Sequence, residues 1–286
     1  MTAMTMTMLQ TPRIHLTDWE TTQDSLSFQR MFNYSAIHAK PLMRNPPMSR
    51  IFMNFIVMPL LLLGITAIAS AQLSNGETGA LKKDKILFLG NSITLHGPSE
   101  SIGWTGNWGM AASAEEKDYV HLVVQALTEP SAAPPKYMVR NIADFERQFA
   151  TYPVEETLRE CIDFKPDLLI LAIGENVPEL TSEESQQQFH ASLDRLLKAF
   201  QKDGHPTMVV RSDFWPSSSK DPILKQAAGD VGAIFVDIGG LAKDEANYAR
   251  SERAIAHAGV AAHPGDKGMK AIADAIVNAL AKPPKP

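Results

Sequence analysis

The sequence predicts an α/β fold: a three-layer α/β/α sandwich around a central, mostly parallel five-stranded sheet. Three observations carry this. Short apolar runs alternate with helical patterns from Lys85 onward, and such alternation makes a parallel sheet covered on both faces. Several runs, DLLILAIG above all, lack the polar alternation of a half-exposed strand, as strands buried on both sides require. No internal repeat or second domain interrupts the pattern. Crossovers in such sheets are right-handed. Ligands bind beyond the carboxyl ends of the strands, near a switch in strand order.

The expected strands are Lys85–Gly90, Tyr137–Asn141, Asp167–Gly174, Pro206–Ser212 and Gly232–Ile238. Helical patterns fall between them. One covers much of GMAASAEEKDYVHLVVQALTE from Gly109, and another is VEETLRECIDF from Val154. The clearest starts after Ser182, whose hydroxyl suits an N-cap before Glu183 and Glu184, and closes at Gly204. DPILKQAAGD and DKGMKAIADAIVNAL complete the set, with Asp266 as N-cap of the last. The domain spans 85–281, and the prolines of the tail at 282–286 stop the final helix.

The front of the chain differs. Residues 1–47 are rich in Met and Thr without periodicity, and read as a disordered leader or a mis-assigned start. From Met48, an early Arg50, an apolar run to Ala69 and the small residues before Gln72 form the three-part layout of a signal peptide at 48–71. An uncleaved membrane anchor is the alternative. Either places the domain outside the cytoplasm, secreted or periplasmic, with the membrane met only through that segment. Residues 72–84 read as a linker.

The 286 residues allow one large domain or two small ones, and 44% hydrophobic with 21% charged residues is ordinary for a globular chain. A net charge of −5 without a basic run argues against nucleic-acid binding. Cys161 stands alone, which excludes an intrachain disulfide and Cys-based zinc or CxxC motifs. Its helical spacing from Leu158 suits a small core residue, with a reactive thiol as the alternative.

The strand ends carry the chemistry. Gly90-Asn91-Ser92 follows the first strand. A serine there is either a helix cap or a nucleophile beside backbone N–H groups. Asn141 follows the second strand, where it can bond local backbone. Gly174-Glu175-Asn176 follows the third: a turn, or an amide placed to donate to an oxyanion. His263 stands before Pro264 and the last helix. Serine, asparagine and histidine together make an acyl-transfer set of nucleophile, oxyanion donor and base. Trp104 and Trp108 alternate with glycines after the serine. They form a wall for sugar rings or pack the loop on the core. Phe214 and Trp215 add aromatics at the same sheet end. No Walker A or GxGxxG motif supports a phosphate-binding alternative.

These blocks resemble those of the SGNH/GDSL hydrolases. GNSIT looks like the first block, with Asn91 in the Asp slot. IGEN looks like the third, with Gly174 and Asn176 kept and Val177 in place of Asp. AHPGDKGM looks like the last. The resemblance covers about 82–281 and implies a flavodoxin-like fold and a serine esterase without metal or cofactor. Its substrates would be small-molecule or glycan esters, carbohydrate O-acyl esters among them. It implies Ser92 as nucleophile, His263 as base, and Asn176 with the Ser92 N–H as oxyanion donors. Two positions depart. The second block's glycine is absent, so a donor there would be the N–H of Phe145 or Glu146. The Asp three residues before the histidine is Val260, so a backbone carbonyl orients the ring, or an acid from elsewhere: Glu252, Glu245, Glu175 or Asp213. His257 and His96 are alternative bases, and His96 also suits the pocket lining. A glycan-binding module without turnover is the competing function.

Overall fold

The computed structural model describes residues 81–130 and 132–282. The expected leader and signal segment, the linker as far as residue 80 and the tail from residue 283 lie outside the described residues. Among those described, no helix is long and apolar enough to cross a membrane.

Five strands form one sheet: β1 (Lys85–Gly90), β2 (Lys136–Asn141), β3 (Leu168–Ala172), β4 (Thr207–Arg211) and β5 (Ile234–Val236). Their spatial order is β2-β1-β3-β4-β5 and every pairing is parallel. The chain steps outward from β1 to β2, then returns past β1 to β3. The order therefore switches between β1 and β3, the position at whose carboxyl ends open parallel sheets bind ligands.

Both faces are buried because successive side chains point opposite ways. Leu87, Leu89, Leu169, Leu171 and Val210 join one core, packed by helix α5 (Glu183–Gln201) and helix α6 (Asp221–Asp230). Ile86, Phe88, Leu168, Ile170 and Val209 join the other, packed by α1 (Tyr119–Leu127) and α8 (Asp266–Leu280). Burying each such side chain is worth about 1.5–3 kcal/mol, the reserve that lets the sheet's upper edge hold buried charges.

Three helices lie between β2 and β3: α2 (Ala143–Gln148), α3 (Val154–Thr157) and α4 (Arg159–Asp163). The expected helix from Val154 is thus broken at Leu158, and α2 has no counterpart among the expected helices. The helix expected from Gly109 begins only at Tyr119, after its N-cap Asp118. The backbone of Ala111 is left-handed at φ 72°, and Asp118 bonds back to the Gly109 N–H at 3.0 Å. Those residues form a loop and a short 3₁₀ turn instead. The short α7 (Ala258–Ala261) precedes the final turn. Ser182 caps α5 in a capping box with Ser185, as its sequence suggests. Gly265, rather than Asp266, is the N-cap of α8.

Candidate active site

β1 ends in a tight turn. The Asn91 carbonyl accepts from both Thr94 and Leu95, each at 2.9 Å, and a Cβ at Gly90 would overlap the Thr94 side chain. Glycine is what lets the strand turn this sharply. Ser92 stands at the crest. Its carbonyl takes the Met110 N–H at 2.8 Å. No acceptor takes the Ser92 N–H among the described residues.

His263 reaches this crest from the turn between α7 and α8. Its Nε2 lies 2.8 Å from Ser92 Oγ, and its Nδ1 lies 2.7 Å from the Gly259 carbonyl. A carbonyl only accepts, so Nδ1 carries the ring proton and Nε2 accepts from the serine hydroxyl. Burial lowers the His263 pKa to about 4, with the Gly259 hydrogen bond pulling upward and His96 adding to the lowering. The ring is therefore neutral at neutral pH, the form a general base needs. Trp215 meets it edge-on at 5.7 Å.

The four carboxylates named from the sequence are engaged elsewhere. Glu252 accepts the N–H groups of Asp266 and Lys267, each at 2.8 Å, and so covers the start of α8. Glu245 pairs with Arg250 on the surface. Glu175 Oε1 binds Arg211 at 2.6 Å and the Phe214 N–H at 2.9 Å. Asp213 lies 3.1 Å from Lys220, an ion contact rather than an aligned hydrogen bond, and Lys220 also donates to the Gly174 carbonyl at 2.8 Å. His257 Nδ1 accepts the Val260 N–H at 3.3 Å, capping α7. His96 Nδ1 sits 2.6 Å from the Gly97 carbonyl.

Glu146 corrects an expectation. Its N–H is spent on the Ile142 carbonyl at 3.3 Å, and that of Phe145 on the same oxygen at 2.9 Å, because both belong to α2. Neither is a free oxyanion donor. The fully buried Glu146 carboxylate instead gathers donors. Oε1 accepts from Gly174 N at 2.6 Å, Asn91 Nδ2 at 3.1 Å and Asn176 N at 3.2 Å. Oε2 accepts from Asn176 Nδ2 at 2.7 Å. Asn91 gives its second amide hydrogen to Glu175 Oε2 at 2.7 Å, and its Oδ1 takes the Ile93 N–H at 3.1 Å. Burial and the Glu175 charge push the Glu146 carboxyl above its ordinary range, against these donors. Burial opposes ionisation of Glu175 too, but Arg211 and the bonds from Phe214 and Asn91 hold it below the usual range. Burial raises Asp213 well above its ordinary value despite Lys220.

The tryptophans form no open wall. Trp104 is buried, donates to the His96 carbonyl at 3.0 Å and meets Trp108 edge-on at 5.6 Å. Half-buried Trp108 donates to Ala112 at 3.1 Å. They pack the loop, with Gly106 wedged where any Cβ would strike both rings.

The arrangement thus joins a serine, a neutral imidazole and a carboxylate-held amide at the switch between β1 and β3. Sequence reasoning missed Gly259, which no side-chain pattern marks. It also missed Arg211, although an arginine closing the apolar run TMVVR was a visible signal of a buried partner. No group of three or more His, Cys, Asp or Glu suited to a metal occurs among the described residues.

No protein-family model matches the chain, and no curated protein matches it. Solved structures do. A family two carbohydrate esterase from Cellvibrio japonicus aligns at 17% identity and TM-score 0.43, over 68% of this chain and 60% of that one. A protein described as a GDSL-like lipase from Bacteroides uniformis aligns at 9% and 0.44, over 69% and 95%. An acetyl xylan esterase from Butyrivibrio proteoclasticus aligns at 15% and 0.41, over 68% and 63%. The chain therefore matches less than two thirds of the length of both esterases.

Proposed function

We propose that the protein is a serine acyl hydrolase acting on small carboxylic esters, carbohydrate O-acyl esters among them. The observation that carries this reading is the 2.8 Å contact from Ser92 Oγ to His263 Nε2, with Nδ1 held on Gly259. Ser92 Oγ attacks the acyl carbon while its proton passes to Nε2. The carbonyl oxygen becomes an oxyanion, met by the Ser92 N–H and the second hydrogen of Asn176 Nδ2. Collapse expels the alcohol, which takes the proton from Nε2. Water, deprotonated by the same nitrogen, then releases the acid and restores the serine. The order of Ser92, Asn176 and His263 along the chain supports the reading through the family resemblance. Trp215 is the aromatic beside the base, so stacking on a sugar leaving group would rest on it rather than on Trp104.

Hydrolysis of p-nitrophenyl acetate tests this. Ser92→Ala should reduce it by about 10⁴-fold or more, and a serine-directed phosphonate should label Ser92. Unchanged turnover in the variant together with no labelling would sink the reading. One observation favours a second function, a glycan-binding module: a buried carboxylate, Glu146, stands in the slot where the resemblance implies a donor. That reading expects glycan binding with no ester turnover.

A further inference from the structure

Glu146, on helix α2, has more partners than a merely structural carboxylate requires. All four are donors: the Asn91 amide, the Gly174 N–H, the Asn176 N–H and the Asn176 amide. Two of these belong to the residue that would meet the oxyanion. A third, Asn91, immediately precedes the nucleophile in the chain.

A carboxylate can only accept. It therefore forces the Asn176 side chain to turn its NH₂ toward Glu146, with Oδ1 on the far side. One amide hydrogen is spent on Oε2, and the second is left at a fixed angle to it. A neutral amide at residue 146 would not impose this. Its own NH₂ would face a ring of donors, and Asn176 would have to flip and offer Oδ1 instead. The flip withdraws the second hydrogen. The Asn91 amide is held the same way, between Glu146 and Glu175, which fixes the turn that carries the Ser92 N–H.

We propose that Glu146 is a positioning residue: its carboxylate sets the flip of the Asn176 amide and clamps Asn91, and so orients both oxyanion donors in place of the missing second-block donor. The inference rests on the acyl-transfer reading of the site. The residue in the second-block slot supplies no hydrogen of its own here; it aims those of two others.

The test is a double-mutant cycle with Glu146→Gln and Asn176→Ala, read by p-nitrophenyl acetate kinetics and by the NMR signals of the Asn176 side-chain amide. E146Q should lower kcat by about 10²-fold, the loss typical of one oxyanion donor, with KM little changed. In the N176A background the same change should cost about tenfold less than in the wild type, because one of the two donors it orients is gone and only the Asn91 clamp is left to lose. Full activity in E146Q, or an undiminished cost in the N176A background, overturns the proposal. The amide signal stands apart from activity. In the wild-type protein one Asn176 side-chain N–H should exchange slowly with solvent, and E146Q should shift it and speed its exchange. If the wild type neither turns over the ester nor takes the phosphonate, the acyl-transfer reading falls, and this signal alone decides the positioning: unaltered slow exchange in E146Q overturns it. Should E146Q fail to fold, the wild-type signal decides, and fast exchange of both hydrogens overturns it.

Discussion

A backbone carbonyl can orient an imidazole, but it cannot answer the ring's positive charge with a full negative one. Gly259 supplies the first service to His263 and only a partial dipole for the second. The resemblance implies an aspartate at residue 260, and restoring it is an obvious experiment with an unfavourable expected result. Val260 is buried in a small apolar cluster with Trp104, Met110, Ala111 and Ala249. A carboxylate there would be desolvated among those side chains. Val260→Asp should therefore cost about 3 kcal/mol or more, visible as a lowered Tm, and should not raise kcat above the wild type. A faster, equally stable variant would show that the cluster yields to the new charge. At this scale the sequence was partly legible. Ser92 and His263 are chemically distinctive and adjoin recognisable turns. Gly259 acts through its main chain, and Glu146 through a side chain aimed inward from a helix, so residue type alone marked neither.

Elements explain why the carboxyl edge of the sheet is so crowded with charge. β1 and β3 bring Asn91 level with Ile173, since Gly90 pairs with Ala172 in the register, and Glu146 Oε1 ties Asn91 to Gly174, the next residue on. Beyond β3 the chain must leave room for Asp213. Gly174 adopts φ 133°, which L side chains rarely reach, and a Cβ there would overlap the Asp213 carboxylate. Gly174→Ala should cost about 3 kcal/mol or more from strain and overlap together. That corresponds to a Tm lower by roughly 10 °C in a domain of this size. A Tm within a few degrees of wild type would mean that Asp213 and Lys220 move aside freely. The strands were legible to within about two residues at each end, because unbroken apolar runs leave few alternatives. The 109–118 stretch was not: its alanines and glutamates favour helix, but the left-handed turn at Ala111 and the bond from Asp118 to Gly109 override propensity. Helix α2 escaped notice because six residues show less than two turns of periodicity.

Across the whole molecule, buried titrating groups pull stability in opposite directions with pH. The His263 pKa falls from an ordinary 6.5 to about 4 on folding. Its contribution is fully present above pH 6.5 and is lost as pH falls toward 4. Glu146 and Asp213 are raised instead, so theirs is present at acid pH and lost as pH rises through their folded values. The two trends oppose each other and partly cancel. His263→Gln removes one of them. Acidification from pH 7 to pH 4.5 should therefore raise the Tm of H263Q relative to that of the wild type over the same interval. Equal shifts in both proteins would show that His263 is not depressed. The overall architecture was the most legible level of all, since strand–helix alternation and two-sided burial constrain the sheet before any contact is known. Which acids the sheet's edge would bury was not legible, because a Glu at a helix start reads the same whether it faces water or a crevice.

The Ser92–His263 contact spans 171 positions of the chain, from the first strand to the turn before the last helix. Neither partner can find the other through local structure. The sheet must close and α8 must dock before the hydroxyl meets the ring. The two side chains of the proposed machinery thus lie at opposite ends of the domain's sequence, and a C-terminally shortened chain would keep Ser92 and lose His263.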